Sequence, residues 1–347
     1  MTLTERPFGT TGDGRAVSCW TLTGRGGMTA QVLTYGASLR ALSVPAPEGF
    51  RDVALGFDTV AAYEKHHDTA MGGVVGRVAG RIGGAAFSLD GKTYALSPSQ
   101  PPNCLHGGFF GFHRQVWEVR SAGEEGLELS YVSPAGEEGF PGRAEVRVRY
   151  ALLGDSELSV SYWAGTDAPT PLNLTHHGYF NLAGHAAGSV ADHRVEIRAD
   201  RYLELGAGSV PTGRLLDVAG TPFDLRRPAL LGPGLAGAHP QIQAGRGYDH
   251  CFAVGEAAWT PLRPVAAAEA AGVRMVCAAT QPGLVFYTGN YLEAPDGKEG
   301  ASYRSRAGLC LEAQNWPDAV RRADFPDSIL RPGARYRQEV RYQFSLC

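Results

Sequence analysis

The sequence predicts an all-β protein of antiparallel strands, and three observations carry that reading. Short runs alternate apolar and polar residues with the period of a half-buried strand. Clusters of Gly, Pro, Asn, Asp and Ser separate these runs at regular spacing. Helical periodicity is scarce along the 347 residues. A sandwich or barrel follows, and all-β folds of this length are compatible with one domain spanning residues 1–347.

In chain order, residues 28–35 alternate until Gly36 ends the run. The cleanest alternation lies in residues 127–132, 144–150 and 158–162, separated by Ser133-Pro134-Ala135-Gly136 and Gly154-Asp155. Two stretches read as short helices instead: residues 58–67, and the Ala/Glu-rich run 266–271 that Gly272 closes. The 46 glycines and 22 prolines are scattered between apolar runs, which suits tight turns rather than a low-complexity tail.

With 44% hydrophobic and 19% charged residues, the chain can bury a sizeable core. Net charge is −3 and neither sign forms a block, so the basic face that a nucleic acid requires is missing. No stretch approaches the ~18 apolar residues of a membrane span. Residues 1–7 lack a basic segment followed by an apolar one. A soluble, cytoplasmic protein is expected. Cys19, Cys104, Cys251, Cys277, Cys310 and Cys347 form no Cys-x-x-Cys pair, which argues against a zinc or redox motif and for reduced, buried thiols.

Four segments combine polar chemistry with strand-like surroundings. In Leu105-His106-Gly107-Gly108, two glycines let the backbone bend and leave room beside the imidazole, for a structural or a working histidine alike. In residues 173–182, a strand would place Asn173, Thr175, His177, Tyr179 and Asn181 on one face. Leu174, His176, Gly178, Phe180 and Leu182 would occupy the other. That pattern predicts a cleft lined by the polar face, with His177 rather than His176 in it. Adjacent histidines on a strand do not chelate one metal readily. In Tyr248-Asp249-His250, the aspartate begins an apolar strand, where turn capping and ligand binding are both open. In Leu309-Cys310-Leu311-Glu312-Ala313-Gln314, a glutamate sits inside an apolar strand, sharing a face with Cys310, Gln314 and Trp316. Such a glutamate needs a salt bridge or a task.

Together these segments resemble the aldose 1-epimerase (galactose mutarotase) family through nearly the whole chain. Tyr35-Gly36-Ala37, Leu55-Gly56-Phe57 and Gly76-Arg77-Val78-Ala79-Gly80-Arg81-Ile82 add to the match. So do Pro211-Thr212-Gly213, Gly220-Thr221-Pro222-Phe223-Asp224, Phe286-Tyr287-Thr288-Gly289-Asn290, Phe325-Pro326 and Leu330-Arg331-Pro332-Gly333. The resemblance implies a large antiparallel β-sandwich of the galactose mutarotase-like supersandwich type. It implies interconversion of the α- and β-anomers of a free aldose, with no metal and no organic cofactor. By the same resemblance Glu312 is the general base and His177 the general acid, with His106 a second histidine near the ring oxygen. Arg81 and Asp249 hold sugar hydroxyls. The partner expected is a monosaccharide, without nucleic acid or membrane, and the chain acts as a monomer or homodimer. Trp316 and Phe286 are candidates for packing on the sugar's apolar face.

The chain departs from the family pattern at four positions. Many members carry asparagine where this chain has Gly80 and His176, glutamine at Val285 and serine at Gly178. Losing amides at 80 and 285 alters the hydrogen bonding open to a sugar, so substrate preference does not transfer with the chemistry. Three other readings compete. A sugar-phosphate epimerase needs several cations at the cleft mouth, for which Arg77 and Arg81 are candidates. A glycoside hydrolase would pair Asp249 with Glu312. A sugar-binding protein without catalysis would need neither the glutamate nor the histidines.

Overall fold

The chain, described from a computed structural model, is defined over residues 1–257 and 259–347. Its strand ladders are antiparallel. Residues 1–52 form a five-stranded meander in chain order. A nine-stranded sheet follows, in which the C-terminal strand Tyr336–Leu346 inserts between Glu157–Thr166 and Val273–Ala279. A second five-stranded sheet runs Pro211–Asp217, Arg201–Leu205, Asp249–Ala253, Gly283–Tyr287, Cys310–Gln314.

Period-two alternation does the structural work expected of it. Along Ala144–Leu153 the burial alternates for the first seven residues, turning Ala144, Val146, Val148 and Tyr150 inward. They meet Leu158, Val160 and Tyr162 from the next strand and Tyr342 from the last one. Leu284, Phe286, Leu311 and Ala313 of the second five-stranded sheet join the same cluster, which extends from Leu22 to Phe344. Burying such side chains is worth ~25 cal/mol per Å² of apolar surface. The alternate residues of that sheet are therefore left on its opposite face.

The helix expected within residues 58–67 is present as Val60–Lys65, capped by the Thr59 hydroxyl accepting from the Ala62 amide. The second expected helix is absent. Residues 263–270 form a strand in which Ala266, Ala267 and Ala268 face Cys277, Val276 and Met275 across a hairpin. Ala271 and Gly272 both adopt positive φ, 48° and 77°, the geometry of a two-residue hairpin turn. Alanine's helix propensity amounts to only tenths of a kcal/mol per residue, and pairing on both sides overrides it.

The 173–182 segment is only partly a strand. Thr175–His176 pairs with Val74–Val75, and Phe180 bridges Ala54 and Leu309. Of the polar face predicted there, three members turn away from any cleft. Asn173 exchanges hydrogen bonds with the backbone of Asn315, Thr175 donates to the Ala313 carbonyl, and Asn181 donates to the carbonyls of Gly188 and Ala307. These bonds help fix the edge strand Cys310–Gln314. Tyr342 and Gln338 of the nine-stranded sheet add donors to the carbonyls of Leu311 and Ala313.

Candidate active site

The second five-stranded sheet presents the floor of a cavity of about 500 Å³. Register determines its pattern. Asp249, Tyr287 and Cys310 lie side by side across three strands, and Cys251, Val285 and Glu312 form the neighbouring row. The intervening residues Phe252, Leu284, Phe286 and Leu311 face the core. Glu312 thus projects into the cavity because Leu311 and Ala313 are needed on the other side.

The walls come from two irregular segments. His177 is held by its amide donating to the Gly73 carbonyl and its carbonyl accepting from Gly72. Arg81 pairs with Leu105 in a short ladder, and His106 follows directly. His106, Gly107 and Gly108 all have positive φ, 51°, 85° and 107°. A Cβ on Gly107 would lie 2.0 Å from the Gly76 carbonyl oxygen, and one on Gly108 2.2 Å from a Glu138 carboxylate oxygen. Gly107 is therefore a steric requirement of the turn that aims His106, and the φ of Gly108 favours glycine there.

All five predicted site residues line this one cavity. His177 Nε2 lies 3.6 Å from Glu312 Oε1, both side chains nearly inaccessible. The His106 ring stands edge-on to His177, with centroids 5.3 Å apart. Arg81 Nη1 is 3.9 Å from Asp249 Oδ2, and Arg81 Nε donates to Gln100 Oε1 at 2.6 Å. Among the described residues Glu312 has no Lys or Arg within salt-bridge distance, so its buried position is not explained by a structural ion pair.

Burial dominates the electrostatics. It pushes the Glu312 carboxyl well above the usual range, assisted by Asp249 and opposed by Arg81. It lifts Asp249 to about 6, again against Arg81. It lowers His177 to about 4, with the residue's own backbone carbonyl opposing. His106 is held well below its ordinary value by burial and by His177, His113 and Arg81. The amide of Gly80 donates to His106 Nδ1 at 3.3 Å. A neutral His106 with Nδ1 so occupied carries its proton on Nε2, as a fixed donor.

His177, Cys310 and Glu312 place ligand-type atoms within 4.8 Å of one another. Metal capture would require the thiolate, and burial together with Glu312 and Asp249 pushes the Cys310 thiol well above its usual range. The trio therefore presents a neutral thiol beside the Glu312–His177 pair.

Several sequence-based expectations are corrected here. Arg77 does not reach the cavity mouth; it is 2% exposed and donates to Ser133, Pro134, Pro141 and Thr170. Among the described residues Arg81 is the one Lys or Arg lining the cavity, which leaves a phosphate without its clamp. Phe286 is buried in the core against Tyr248, and Trp316 packs on Phe325, so neither offers a sugar platform. The aromatic lining is Tyr179, Tyr287 and Tyr291. Alternation from Val285 identifies Tyr287, but Gln100 reaches Arg81 through a loop path that no local pattern encodes.

His176 lies on the far side of the segment, among Tyr150, Phe180 and Tyr342, and does not line this cavity. Its departure from the family pattern therefore concerns packing and not sugar contact. A Cβ at Gly178 would meet His176 Cε1 at 2.4 Å, so the glycine at 178 makes room for the imidazole at 176.

A family model described as Aldose 1-epimerase matches residues 18–343. Galactose mutarotase of Rattus norvegicus is 41% identical over 321 residues, covering 92% of each chain. Aldose 1-epimerase of Escherichia coli (strain K12) is 34% identical over 340 residues, covering 96% of each. The crystal structure of an aldose epimerase homologue from C. elegans superposes with a TM-score of 0.87 at 32% identity, over 94% of this chain and 98% of that one.

Proposed function

The chain belongs to the aldose 1-epimerase family, and on that premise we propose that Glu312 and His177 exchange the protons that open and reclose the sugar ring. The reaction interconverts the α- and β-anomers of a free aldose. Glu312 takes the proton from the anomeric hydroxyl while His177 Nε2 delivers one to the ring oxygen. The C1–O5 bond breaks and C1 becomes a carbonyl. Rotation about C1–C2 presents the other carbonyl face, and the two groups reverse roles on reclosure. The observation that carries this reading is the 3.6 Å separation of His177 Nε2 from Glu312 Oε1 at the cavity floor.

The directions of the shifts bear on how the pair is primed. Burial favours a protonated Glu312 and a neutral His177. Moving that one proton across the pair gives carboxylate and imidazolium, the form that starts the reaction. The pair then carries one exchangeable proton throughout. His106, with its proton on Nε2, serves as a stationary donor to a sugar oxygen. Asp249 and Arg81 hold hydroxyls.

Polarimetry of freshly dissolved α-D-glucose or α-D-galactose tests the assignment. Glu312→Gln and His177→Asn should each lower kcat by ~10²–10⁴-fold. Retention of most of the rate in either variant would remove that residue from the proton path. The rate should be bell-shaped in pH, falling in acid as the pair gains a second proton and in alkali as it loses its only one. Six cysteines, all unpaired, support a cytoplasmic location, which cell fractionation checks. We expect a monomer or homodimer, to be read by light scattering.

A further inference from the structure

We infer that Cys310 is the positioning residue of His177, its sulfur holding the Nδ1 proton so that only Nε2 gains and loses a proton toward the sugar. This rests on His177 being the acid.

Cys310 and Glu312 are two residues apart on one strand and therefore share a face. They address the two nitrogens of the same imidazole. Glu312 Oε1 is 3.6 Å from Nε2 and Cys310 Sγ is 3.7 Å from Nδ1. The ring is otherwise enclosed by the edge of His106 and by Tyr179 and Tyr287, whose centroids lie 5.0 and 6.2 Å away. A buried N–H without an acceptor is unfavourable, and beside the residue's own backbone carbonyl Cys310 is the described side-chain acceptor within reach of Nδ1.

The order of protons follows from these contacts. With Nδ1–H held by the sulfur, the neutral ring turns its Nε2 lone pair toward Glu312 Oε1, 3.6 Å away. When Glu312 gives up its proton the ring becomes an imidazolium, still donating from Nδ1 to sulfur. When Nε2–H is delivered to the ring oxygen, the Nδ1–H form returns with Nε2 bare, ready to take the proton back on reclosure. The opposite tautomer would present Nε2–H to the open-chain hydroxyl and could not accept from it. A neutral thiol suits this task better than a carboxylate would. Burial keeps the Cys310 thiol protonated, so the sulfur is a weak acceptor that orients the ring without stabilising its charged form. His106 contrasts with it: its Nδ1 accepts from the rigid amide of Gly80 and its tautomer is fixed the other way.

The test uses the full-length enzyme labelled with ¹⁵N-histidine, with a His177→Asn spectrum to identify the His177 signals. The unliganded wild type at neutral pH should show Nδ1 as the protonated nitrogen. In Cys310→Ala the tautomer should mix or reverse, and kcat should fall about tenfold with KM within about twofold. Cys310→Ser keeps a hydroxyl acceptor and nearly the same volume, and should retain more of kcat than the alanine variant. A bare Nδ1 in the wild type, or an unchanged tautomer in folded Cys310→Ala, overturns the inference. Equal losses of kcat in both variants would mark a packing effect and overturn it as well. If His177→Asn keeps the wild-type rate, the acid assignment fails, while the ring signals still decide whether Cys310 sets the tautomer.

Discussion

Asp249→Asn should make the protein more stable at pH 8 and a poorer enzyme. Burial raises the Asp249 carboxyl from its ordinary 3.8 to about 6, even with Arg81 nearby. A carboxyl whose pKa is higher in the folded state supports folding fully below pH 4, and that support is lost as pH rises through about 6. Each tenfold change in proton affinity is about 1.4 kcal/mol, so the ionised group at pH 8 costs the fold about 3 kcal/mol relative to a neutral one. Asparagine is never charged and avoids that cost. Removing the charge also relieves Glu312, which Asp249 pushes upward. For a chain of this size the gain corresponds to a Tm increase of roughly 5 °C at pH 8, vanishing near pH 4. Differential scanning calorimetry at both pH values measures it. kcat/KM for galactose should fall about 10–100-fold, since an ionised acceptor for a hydroxyl is lost. An asparagine variant that melts lower at pH 8, or whose Tm gain is the same at pH 4, would refute the reasoning.

Gly178→Ser should destabilise the fold by about 1–3 kcal/mol in urea titrations, because the new Cβ overlaps the His176 imidazole. The double change His176→Asn with Gly178→Ser should recover much of that loss; strictly additive effects would show that the two positions do not share space. Gly107→Ala should lower both Tm and kcat/KM, the latter at least tenfold, since its Cβ would lie 2.0 Å from the Gly76 carbonyl oxygen beside His106. An alanine variant with wild-type activity would separate that turn from catalysis.

What could be read from the sequence was whatever depends on strand periodicity. Alternation within residues 173–182 distinguished His177 from His176 without any contact information, and the structure places the former in the cavity and the latter in the core. The same logic overreached at Asn173, Thr175 and Asn181. A buried polar side chain that bonds to a distant backbone has the same local pattern as one that lines a cleft. The Ala/Glu-rich run 266–271 reads as a helix because its composition does not show the pairing that decides the matter, with the next strand on one side and with residues 194–197 on the other. Glu312 is ambiguous in the sequence because only tertiary geometry reveals that the ionisable side chain 3.6 Å from it is a histidine and not a lysine or arginine.

The two-faced sheet beneath the cavity also bears on substitution. Cys251 and Val285 sit beside Glu312 on the cavity side, while Phe252, Leu284 and Phe286 anchor the opposite side. Residues that line the cavity and residues that anchor the sheet to the core thus alternate along the same strands. An exchange at 285 would change the cavity lining while leaving Phe252, Leu284 and Phe286 in the core, although Cys251 and Val285 also pack with Leu203, Trp316 and Phe325.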